Sequence, residues 1–402
     1  MASQQDALVP GSGYFFQKLF GLFRQSNFSG EEAVIDKLSM SFSKRGHVVD
    51  YFFKSSEKCN SHFLWKMIAF FTGFYSFRSN IQLQRVINQF KPDIINIHNL
   101  YPFISPSILR ICKKNNIPIV MTVHNYRLIC PTGLFMRNHR PCELCLVKKH
   151  EWNCIWHNCE RSLPKSIGYA LRNMFARKRR MYLDNVDYFA CLTNFQREKI
   201  IAAGFNPKKV LVIPNFINIS RIPDFTPGAY VAYSGRLSEE KGVDLILKVA
   251  RKHPEIHFKF AGNLRDKALL ANGIPSNCEF LGYLSGNKLE AFYNNASFFV
   301  MASKWYEGFP MTILEAAGYG KCTVAPSHGG FIEIIGKGDK EIGRLFRPMD
   351  VIDLENQITN LWNNPDYLVV LNKRAFEKVR TEYSTDNIYD KYIKVFTSLT
   401  KL

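Results

Sequence analysis

A strand-to-helix junction in the second half of the chain reads Glu307-Gly308-Phe309-Pro310-Met311-Thr312-Ile313-Leu314-Glu315. An apolar run precedes it and a helical pattern follows. Pro310 suits the first turn of a helix, where its missing N–H costs nothing. The amide groups that follow lie at the positive end of the helix dipole and form an anion site. The stretch therefore predicts a strand, an anion-binding loop, and a helix that carries Glu315 in its second turn.

Two further loops combine a strand end with glycine and charge. The first reads Ser234-Gly235-Arg236-Leu237-Ser238-Glu239-Glu240-Lys241-Gly242. Its guanidinium fork and ammonium group could hold a diphosphate, or the same cations could pair with the two glutamates of a solvated loop. The second reads Pro326-Ser327-His328-Gly329-Gly330-Phe331-Ile332-Glu333. Its Gly-Gly pair either lets backbone amides approach an anion or forms a tight turn without a ligand.

The two glutamates of the first junction each have two interpretations. Glu315 stands beside Ala316, Ala317 and Gly318, where a carboxylate can accept two hydroxyl groups such as those of a ribose. Alternatively, it is a buried helix acid paired with a lysine. Glu307 is either a ligand-binding carboxylate in the loop or a charge at a helix N-terminus, worth a few tenths of a kcal/mol.

Short apolar runs alternate with amphipathic helical patterns along the whole chain, which predicts parallel α/β sheets. The expected strands are Val48–Phe53, Asp93–His98, Pro118–His124, Tyr188–Thr193, Val210–Pro214, Ala229–Ser234, His257–Ala261, Ser297–Ala302 and Cys322–Ala325. The expected helices include Glu31–Lys44, Pro106–Asn115, Lys241–Lys252, Asn287–Asn295 and Met311–Ala317.

The length of 402 residues, 46% of them hydrophobic, suits two domains. A stretch rich in Pro, Gly and Asn separates them. We expect a first domain over residues 1–215, a second over 216–384, and a last helix over 385–402 that crosses back to the first. Two such domains leave a cleft between the carboxyl ends of their sheets, where ligands bind.

Together these loops resemble the donor half of the retaining GT-B glycosyltransferases of family 4. Glu307 and Glu315 match that family's E-x7-E signature. In the first half, His98-Asn99-Leu100, Ser105-Pro106 and the segment from His124 to Gly133 resemble a bacterial branch that builds capsular, exopolysaccharide and lipopolysaccharide chains. The resemblance implies an α/β fold of GT-B type, with two Rossmann-like domains whose parallel sheets face each other across a cleft.

The resemblance also implies roles for individual residues. Arg236 and Lys241 neutralise the diphosphate of a nucleotide sugar, and Glu315 binds the ribose hydroxyls. Glu307 contacts the transferred sugar, and His124 faces it from the first domain or, alternatively, caps a strand end. The residues expected around the donor are Gly235, Arg236, Lys241, Glu307, Gly308, Phe309, Pro310, Met311, Glu315 and Glu333. The catalytic set is His124, Glu307, Arg236 and Lys241.

The chemistry implied is transfer of a sugar with retention of its anomeric configuration. Fixed cations and helix N-termini stabilise the leaving diphosphate, so the resemblance requires no metal cofactor, and the sequence contains no Asp-x-Asp motif. No residue is assigned as nucleophile. The alternatives are a GT-B epimerase or phosphorylase, and a non-enzymatic, basic, zinc-containing protein that binds nucleic acid.

A cluster of cysteines interrupts the first half at about residues 130–159. Cys142, Cys145, Cys154 and Cys159 have a spacing that is workable for tetrahedral zinc. The alternative is an insertion with buried or free thiols. We therefore predict a possible structural zinc site beside the cleft.

The chain is strongly basic, with a formal net charge of +19. The run from Arg177 to Arg180 follows an apolar helical pattern, which favours contact with an anionic membrane surface over nucleic acid. A merely soluble basic surface is the alternative. The apolar stretch Phe63–Phe77 is too short to cross a bilayer, which needs about 20 residues, and we expect no secretory signal in residues 1–13. The expected location is cytoplasmic, peripheral at the inner membrane face, with a saccharide or lipid-linked acceptor.

The N-terminus departs from the family pattern. The segment Ser29-Gly30-Glu31-Glu32 resembles a glycine-rich loop with one glycine replaced by serine. The segment from Tyr14 to Phe23 is either a degraded strand or an amphipathic helix at the membrane surface. We therefore expect an altered acceptor-side loop, and such a change could impair the enzyme.

Overall fold

The computed structural model describes residues 18–25, 30–55, 70–101, 104–219, 221–271 and 273–400. Two six-stranded sheets, each entirely parallel, form the centres of two domains. Helices between successive strands cover the sheets, as the alternation of patterns predicts. The expected fold, two Rossmann-like domains of GT-B type, is confirmed.

The first sheet has the strand order β2-β1-β3-β4-β7-β8. Its strands are β1 (Lys18–Gln25), β2 (Val48–Ser55), β3 (Ile94–Ile97), β4 (Ile119–Val123), β7 (Tyr188–Cys191) and β8 (Val210–Val212). A short hairpin, β5 (Met136–Arg137) and β6 (Arg140–Pro141), lies in the cysteine-rich insertion. The described helices here are α1 (Gly30–Ser43), α2 (Phe77–Phe90), α3 (Ser107–Lys114), α4 (Leu144–Val147), α5 (Trp152–Trp156), α6 (Leu163–Lys178) and α7 (Asn194–Ala202).

The N-terminal strand decides between the two interpretations of Tyr14–Phe23. Residues from Lys18 onward form β1, which pairs with both β2 and β3, and Leu19 and Phe20 are buried. The strand interpretation is therefore correct from residue 18, and the helix interpretation is wrong there. Residues 14–17 and Ser29 lie outside the described residues, and α1 begins at Gly30.

The second sheet has the order β11-β10-β9-β12-β13-β14. Its strands are β9 (Tyr230–Ser234), β10 (Phe258–Ala261), β11 (Cys278–Gly282), β12 (Ala296–Val300), β13 (Thr323–Pro326) and β14 (Gly343–Phe346). Its helices are α8 (Val243–Lys252), α9 (Gly286–Asn294), α10 (Met311–Gly318), α11 (Gly330–Ile335), α12 (Val351–Trp362) and α13 (Pro365–Glu382). The order reverses direction between β9 and β12, which is the topological switch point where ligands bind in such sheets.

The strands β11 and β14 were not predicted from the sequence. Both lie at the edges of the second sheet, and β11 is only partly buried. Edge strands need fewer apolar side chains than central ones, so their pattern is weaker. The predicted helix Lys241–Lys252 begins later than expected, at Val243. Gly242 adopts a left-handed conformation after a 3-10 turn and separates that turn from the helix.

The last helix, α14 (Thr385–Leu399), packs on the first domain. Tyr389, Tyr392 and Phe396 join a core cluster with residues of α1 and the first sheet. The hydroxyl of Tyr392 lies 3.1 Å from Oγ1 of Thr122 on β4. The end of the chain therefore contributes to the core of the domain with which the chain begins.

None of the described helices combines the length and apolar character that a bilayer crossing demands.

Candidate active site

Two loops flank the switch point of the second sheet and touch each other. The loop after β9 ends at Gly242, whose φ is +67°. A Cβ atom there would lie 1.9 Å from the carbonyl oxygen of Ala302, directly after β12. Only glycine permits this approach. It brings Lys241 beside the residues that follow β12.

Lys241 and Glu307 form a buried ion pair at this junction. Lys241 Nζ lies 2.8 Å from Glu307 Oε1, and the side chains are 14% and 7% exposed. The hydroxyl of Ser303 donates to the same carboxylate oxygen. His328 Nε2 donates to the carbonyl oxygen of Ser303 at 2.9 Å. Burial lowers the pKa of His328, so the imidazole is neutral and can donate from one nitrogen only.

Arg236 lies on the same loop but is held loosely. Its side chain is 42% exposed, and the described carboxylate nearest to it is Glu240, at 3.7 Å. The hydroxyl of Tyr233 fixes the backbone by donating to the carbonyl oxygen of Arg236 at 2.8 Å. The guanidinium is therefore free to turn towards an anionic ligand at the loop.

Glu315 is held by a tyrosine on a neighbouring helix. Tyr293 donates its hydroxyl to Glu315 Oε2 at 2.9 Å. Burial, reinforced by the Glu315 charge, raises the pKa of Tyr293 well above its usual value, so the hydroxyl keeps its proton. The ring of Tyr319 stacks on Tyr293 with centroids 5.0 Å apart. The Glu315 carboxylate is thus oriented from one side.

The amino end of α10 faces the first domain. Pro310 is the N-cap residue, one position earlier than the first-turn position expected, and no side chain caps the helix. A Cβ atom at Gly308 would lie 2.1 Å from the carbonyl oxygen of His124. The loop Glu307–Pro310 therefore lies directly against the carboxyl end of β4.

His124 is buried and pairs with a second histidine. Its Nε2 lies 2.8 Å from Nδ1 of His98, which follows β3. Burial and the neighbouring His124 lower the pKa of His98 well below its usual value. Both rings line a small cavity together with Tyr101, Arg127 and other residues of the first domain. The sequence singled out His124, whereas His98 was recognised only as part of a family motif.

Glu333 contacts the first domain. Its two carboxylate oxygens accept from Asn194, one from the backbone N–H at 2.7 Å and one from Nδ2 at 2.9 Å. Asn194 begins α7. The carboxylate therefore bridges the two domains in this structure, a role that the sequence did not predict.

The cysteine-rich insertion also contacts the donor-side loop. His139 and Arg161 both pair with Glu239, Arg161 at 3.4 Å. Glu143 pairs with Lys199 of α7 at 2.7 Å. The pairing of Glu239 with His139 and Arg161 could not be predicted from sequence, because these partners are about 80 to 100 positions away in the chain.

The predicted zinc ligands lie close together. Cys130, Cys142, Cys145, Cys154 and Cys159 line one small cavity. Hydrogen bonding between the last two raises the pKa of Cys154 and lowers that of Cys159. Within the described ranges, however, no three His, Cys, Asp or Glu side chains are arranged so that they could hold a metal ion.

The basic run after α6 is partly neutralised. Arg177 makes a bidentate contact with Glu151, at 2.7 and 2.9 Å, and Arg180 pairs with Asp184 at 2.9 Å. These two cations of the run therefore have intramolecular partners.

Comparison with known proteins identifies the class to which this site belongs. The model of the Glycosyltransferase Family 4 family matches residues 28–221, and that of Glycosyl transferases group 1 matches residues 217–378. Together the two matches include every described strand of the two sheets except β1. The chain belongs to the glycosyltransferases of GT-B fold.

Relatives with curated descriptions are similar over most of the chain. An uncharacterized 42.6 kDa protein in the cps region of Klebsiella pneumoniae is 26% identical, over 75% of this chain and 76% of that protein. The sulfoquinovosyl transferase SQD2 of Arabidopsis thaliana is 27% identical, over 73% of this chain and 54% of its own length. This chain thus spans about half of the plant relative.

A solved structure supports the fold. The Anabaena protein Alr3699/HepE, crystallised with UDP and glucose, superimposes with a TM-score of 0.66 at 14% identity, covering 95% of this chain and 100% of that one. At this identity the similarity shows the architecture alone.

Proposed function

We propose that this glycosyltransferase moves a sugar from a nucleoside diphosphate sugar to a saccharide acceptor, with retention of the anomeric configuration. The observation that carries the proposal is the grouping of Arg236, the Lys241–Glu307 pair and Glu315 around the switch point of the second sheet. UDP is the first nucleotide to test, because the Anabaena structure contains UDP and glucose.

The Lys241–Glu307 ion pair is proposed to open when the donor binds. Without a ligand, the two buried charges neutralise each other. A bound diphosphate offers Lys241 a stronger anion, which releases Glu307 to accept hydroxyl groups of the transferred sugar. Arg236 adds its planar donor fork to the same diphosphate. Gly235 allows the phosphates to approach the backbone, and the N–H groups of Gly308, Phe309 and Met311 can donate to the phosphates and sugar.

Glu315 is proposed to bind the ribose of the donor nucleotide. A ribose presents two neighbouring hydroxyl groups, and a carboxylate can accept from both. Tyr293 holds this carboxylate in position through its own hydroxyl. Glu333 belongs to the proposed donor region through the adjoining loop, although its hydrogen bonds here are to Asn194.

Charge development supports a mechanism without a metal cofactor. As the glycosidic bond to the diphosphate breaks, positive charge grows on the anomeric carbon and negative charge on the leaving group. Arg236 and Lys241, once they have turned to the diphosphate, and the amino end of α10 stabilise the negative charge on the leaving group. The acceptor hydroxyl then attacks the anomeric carbon from the first-domain side, where His124 lies, and its proton passes to an oxygen of the departing diphosphate. No side chain is assigned as a nucleophile.

The acceptor side is proposed to bind a lipid-linked saccharide in surface polysaccharide synthesis, at the cytoplasmic face of the membrane. The Klebsiella relative encoded in a cps region motivates this proposal, as does the net charge of +19, which favours an anionic membrane surface. The predicted zinc site is not part of the proposal, because the described side chains form no group that could hold the ion.

A thermal-shift panel of nucleotides and nucleotide sugars tests the donor site. A ligand that binds only the folded protein raises the melting temperature by mass action. We expect UDP and UDP-sugars to raise it in the wild type and not in Glu315→Ala. The matched control is Glu377→Ala, which removes an exposed carboxylate paired with Arg380 on α13. No shift with any nucleotide, or an equal shift in Glu315→Ala, would refute the donor assignment.

The stereochemical outcome needs a second measurement. With an active donor and an accepted saccharide, the anomeric proton coupling of the product in NMR reports its configuration. Retention requires the same configuration as in the donor. An inverted product would contradict the proposed mechanism without affecting the donor site.

A further inference from the structure

A buried arginine in the first domain has no acidic partner among the residues that the structure describes. Arg172 on α6 is only 6% exposed. Its guanidinium lies over the rings of Tyr101 and Tyr169, at 3.8 and 4.6 Å from their centroids. Its polar contacts are long, at 3.4 Å to the carbonyl oxygen of Pro131 and to Oδ1 of Asn173, and its Nε has no partner in the described structure.

A second arginine lies nearby and is also incompletely paired. Arg127 follows β4, and its buried Nε has no hydrogen-bond partner among the described atoms. No carboxylate of the described residues lies within 4.0 Å of the Arg127 or Arg172 nitrogens. Glu160 is close enough for these cations to act on its pKa, yet burial dominates and raises that pKa, and no ion pair joins it to either arginine.

Two neighbouring cations in a buried setting are unfavourable without an anion. Burial lowers the pKa of Arg172, and the charge of Arg127 lowers it further. Desolvating an unpaired ion costs several kcal/mol, so protein interiors normally supply a counter-charge. Here the cation–π contacts compensate only in part. Among the described residues, no ion pair balances the remaining cost.

The position of Arg127 and of Tyr101, on whose ring Arg172 lies, indicates where this anion enters. Arg127 and Tyr101 line the cavity at the carboxyl ends of β3 and β4, together with His98 and His124. His124 in turn abuts Gly308 of the opposite domain. The cavity therefore adjoins the proposed sugar-transfer site on its first-domain side.

We propose that Arg127 and Arg172 form a subsite for an oxyanion carried by the acceptor, either a phosphate or the carboxylate of an acidic sugar. Guanidinium groups match both anions, because their planar donors engage two oxygens at once. The proposal rests on the proposed function, since it concerns the acceptor of the same reaction. The donor diphosphate is not the occupant, because its own cations, Arg236 and Lys241, lie in the second domain.

Small acceptor mimics separate the two sources of the anion. The protein is first saturated with UDP, so that the donor site is filled. Methyl glucoside 6-phosphate, methyl glucuronide and neutral methyl glucoside are then compared at equal millimolar concentrations by thermal shift and by titration calorimetry. We expect one of the two anionic compounds to bind more tightly than methyl glucoside. A preference for the phosphate or for the glucuronide identifies the source.

Variants connect this preference to the two arginines. Arg127→Gln is expected to weaken binding of the preferred anionic mimic by about 10-fold or more, as for a lost hydrogen bond to a charged group. Arg172→Lys keeps the positive charge but removes the planar guanidinium, so it should also weaken binding of the anionic mimic. Arg110→Gln, on the exposed face of α3, is the control and should bind as the wild type does. An unchanged UDP shift verifies that each variant is folded.

The failures are distinguishable. If UDP binds but neither anionic mimic exceeds methyl glucoside, the subsite is refuted and the donor site stands. The same conclusion follows if Arg127→Gln and Arg172→Lys bind the anionic mimic as tightly as Arg110→Gln. If UDP itself causes no shift in the wild type, the proposed function fails and this subsite fails with it.

Discussion

Lys241 Nζ lies 2.8 Å from Glu307 Oε1, and both side chains are largely withdrawn from water. The two residues are 66 positions apart and belong to different loops of one sheet. At the switch point, each of these buried charges is neutralised by the other. The proposed function requires both charges to turn to the donor when it binds, and the ion pair neutralises them until then.

Glu307→Gln should strongly destabilise the ligand-free protein. The amide leaves the Lys241 ammonium buried without its counter-charge, which costs roughly 3 kcal/mol or more. In Lys241→Met/Glu307→Gln the ammonium is also absent, so the combined loss should be smaller than the sum of the single losses. Urea unfolding of the four proteins in a double-mutant cycle measures this coupling.

The chain provides a matched exposed pair as control. Lys259 and Glu279 lie at the same 2.8 Å, but their side chains are 34% and 57% exposed. Solvent screening should limit their coupling energy to about 1 kcal/mol or less. Equal coupling in the two pairs would show that burial adds nothing to the Lys241–Glu307 interaction.

Tyr293→Phe should weaken nucleotide binding without abolishing it. The variant loses the hydroxyl that orients Glu315 but keeps the carboxylate, so we expect the Kd for UDP to rise by about 5-fold, equivalent to one modest hydrogen bond. Tyr230→Phe removes another buried hydroxyl, which donates to the carbonyl oxygen of Phe292 at 2.8 Å. Titration calorimetry should find UDP binding unchanged in this control. Comparable losses in both variants would point to general destabilisation.

The Glu333–Asn194 contact should hold the two domains together. Asn194→Ala removes the side-chain half of the contact, which is worth about 1 kcal/mol. We therefore expect a larger radius of gyration in X-ray scattering of the ligand-free protein, and a similar increase for Glu333→Ala. Glu198→Ala, at an exposed position of α7, should have no effect.

The same variants test whether Glu333 also binds the donor, as the family resemblance implies. A loss of UDP affinity in Glu333→Ala that is absent from Asn194→Ala would assign the carboxylate to the donor site. Equal affinities would restrict Glu333 to the bridge between domains.

The sequence predicted the two strand-to-helix loops at the switch point, because each is a local feature. Glycine, proline and charge at a strand end identify Gly235–Gly242 and Glu307–Glu315 without knowledge of their neighbours. Parallel strands bring their carboxyl ends to one edge, so the loops could be expected to meet. The edge strands β11 and β14 were missed because their apolar pattern is weak.

Specific side-chain contacts between distant parts of the chain could not be predicted. Nothing near Glu333 indicates that Asn194 will meet it, and nothing near Glu239 indicates His139 and Arg161. The burial of Arg172 could not be predicted either, because the sequence of its helix is basic and amphipathic. Such features arise from the packing of one domain or insertion on another, which local propensity does not encode.

His98 should make the stability of the first domain depend on pH. Its pKa is lowered well below the usual value of about 6.5, first by burial and then by His124. Between the folded and unfolded pKa values the unfolded chain binds more protons, so stability rises with pH through this window. The contribution of neutral His98 to the free energy of unfolding is complete above about pH 6.5. It is lost as the pH falls below that value, by at most about 1.4 kcal/mol per pH unit. Urea unfolding at intervals from pH 7.5 to pH 5 should reveal this loss. The variant His98→Gln cannot titrate at this position, so its free energy of unfolding should fall less over the same pH range. If the variant and the wild type lose the same stability, His98 takes up its proton as readily in the folded protein as in the unfolded chain.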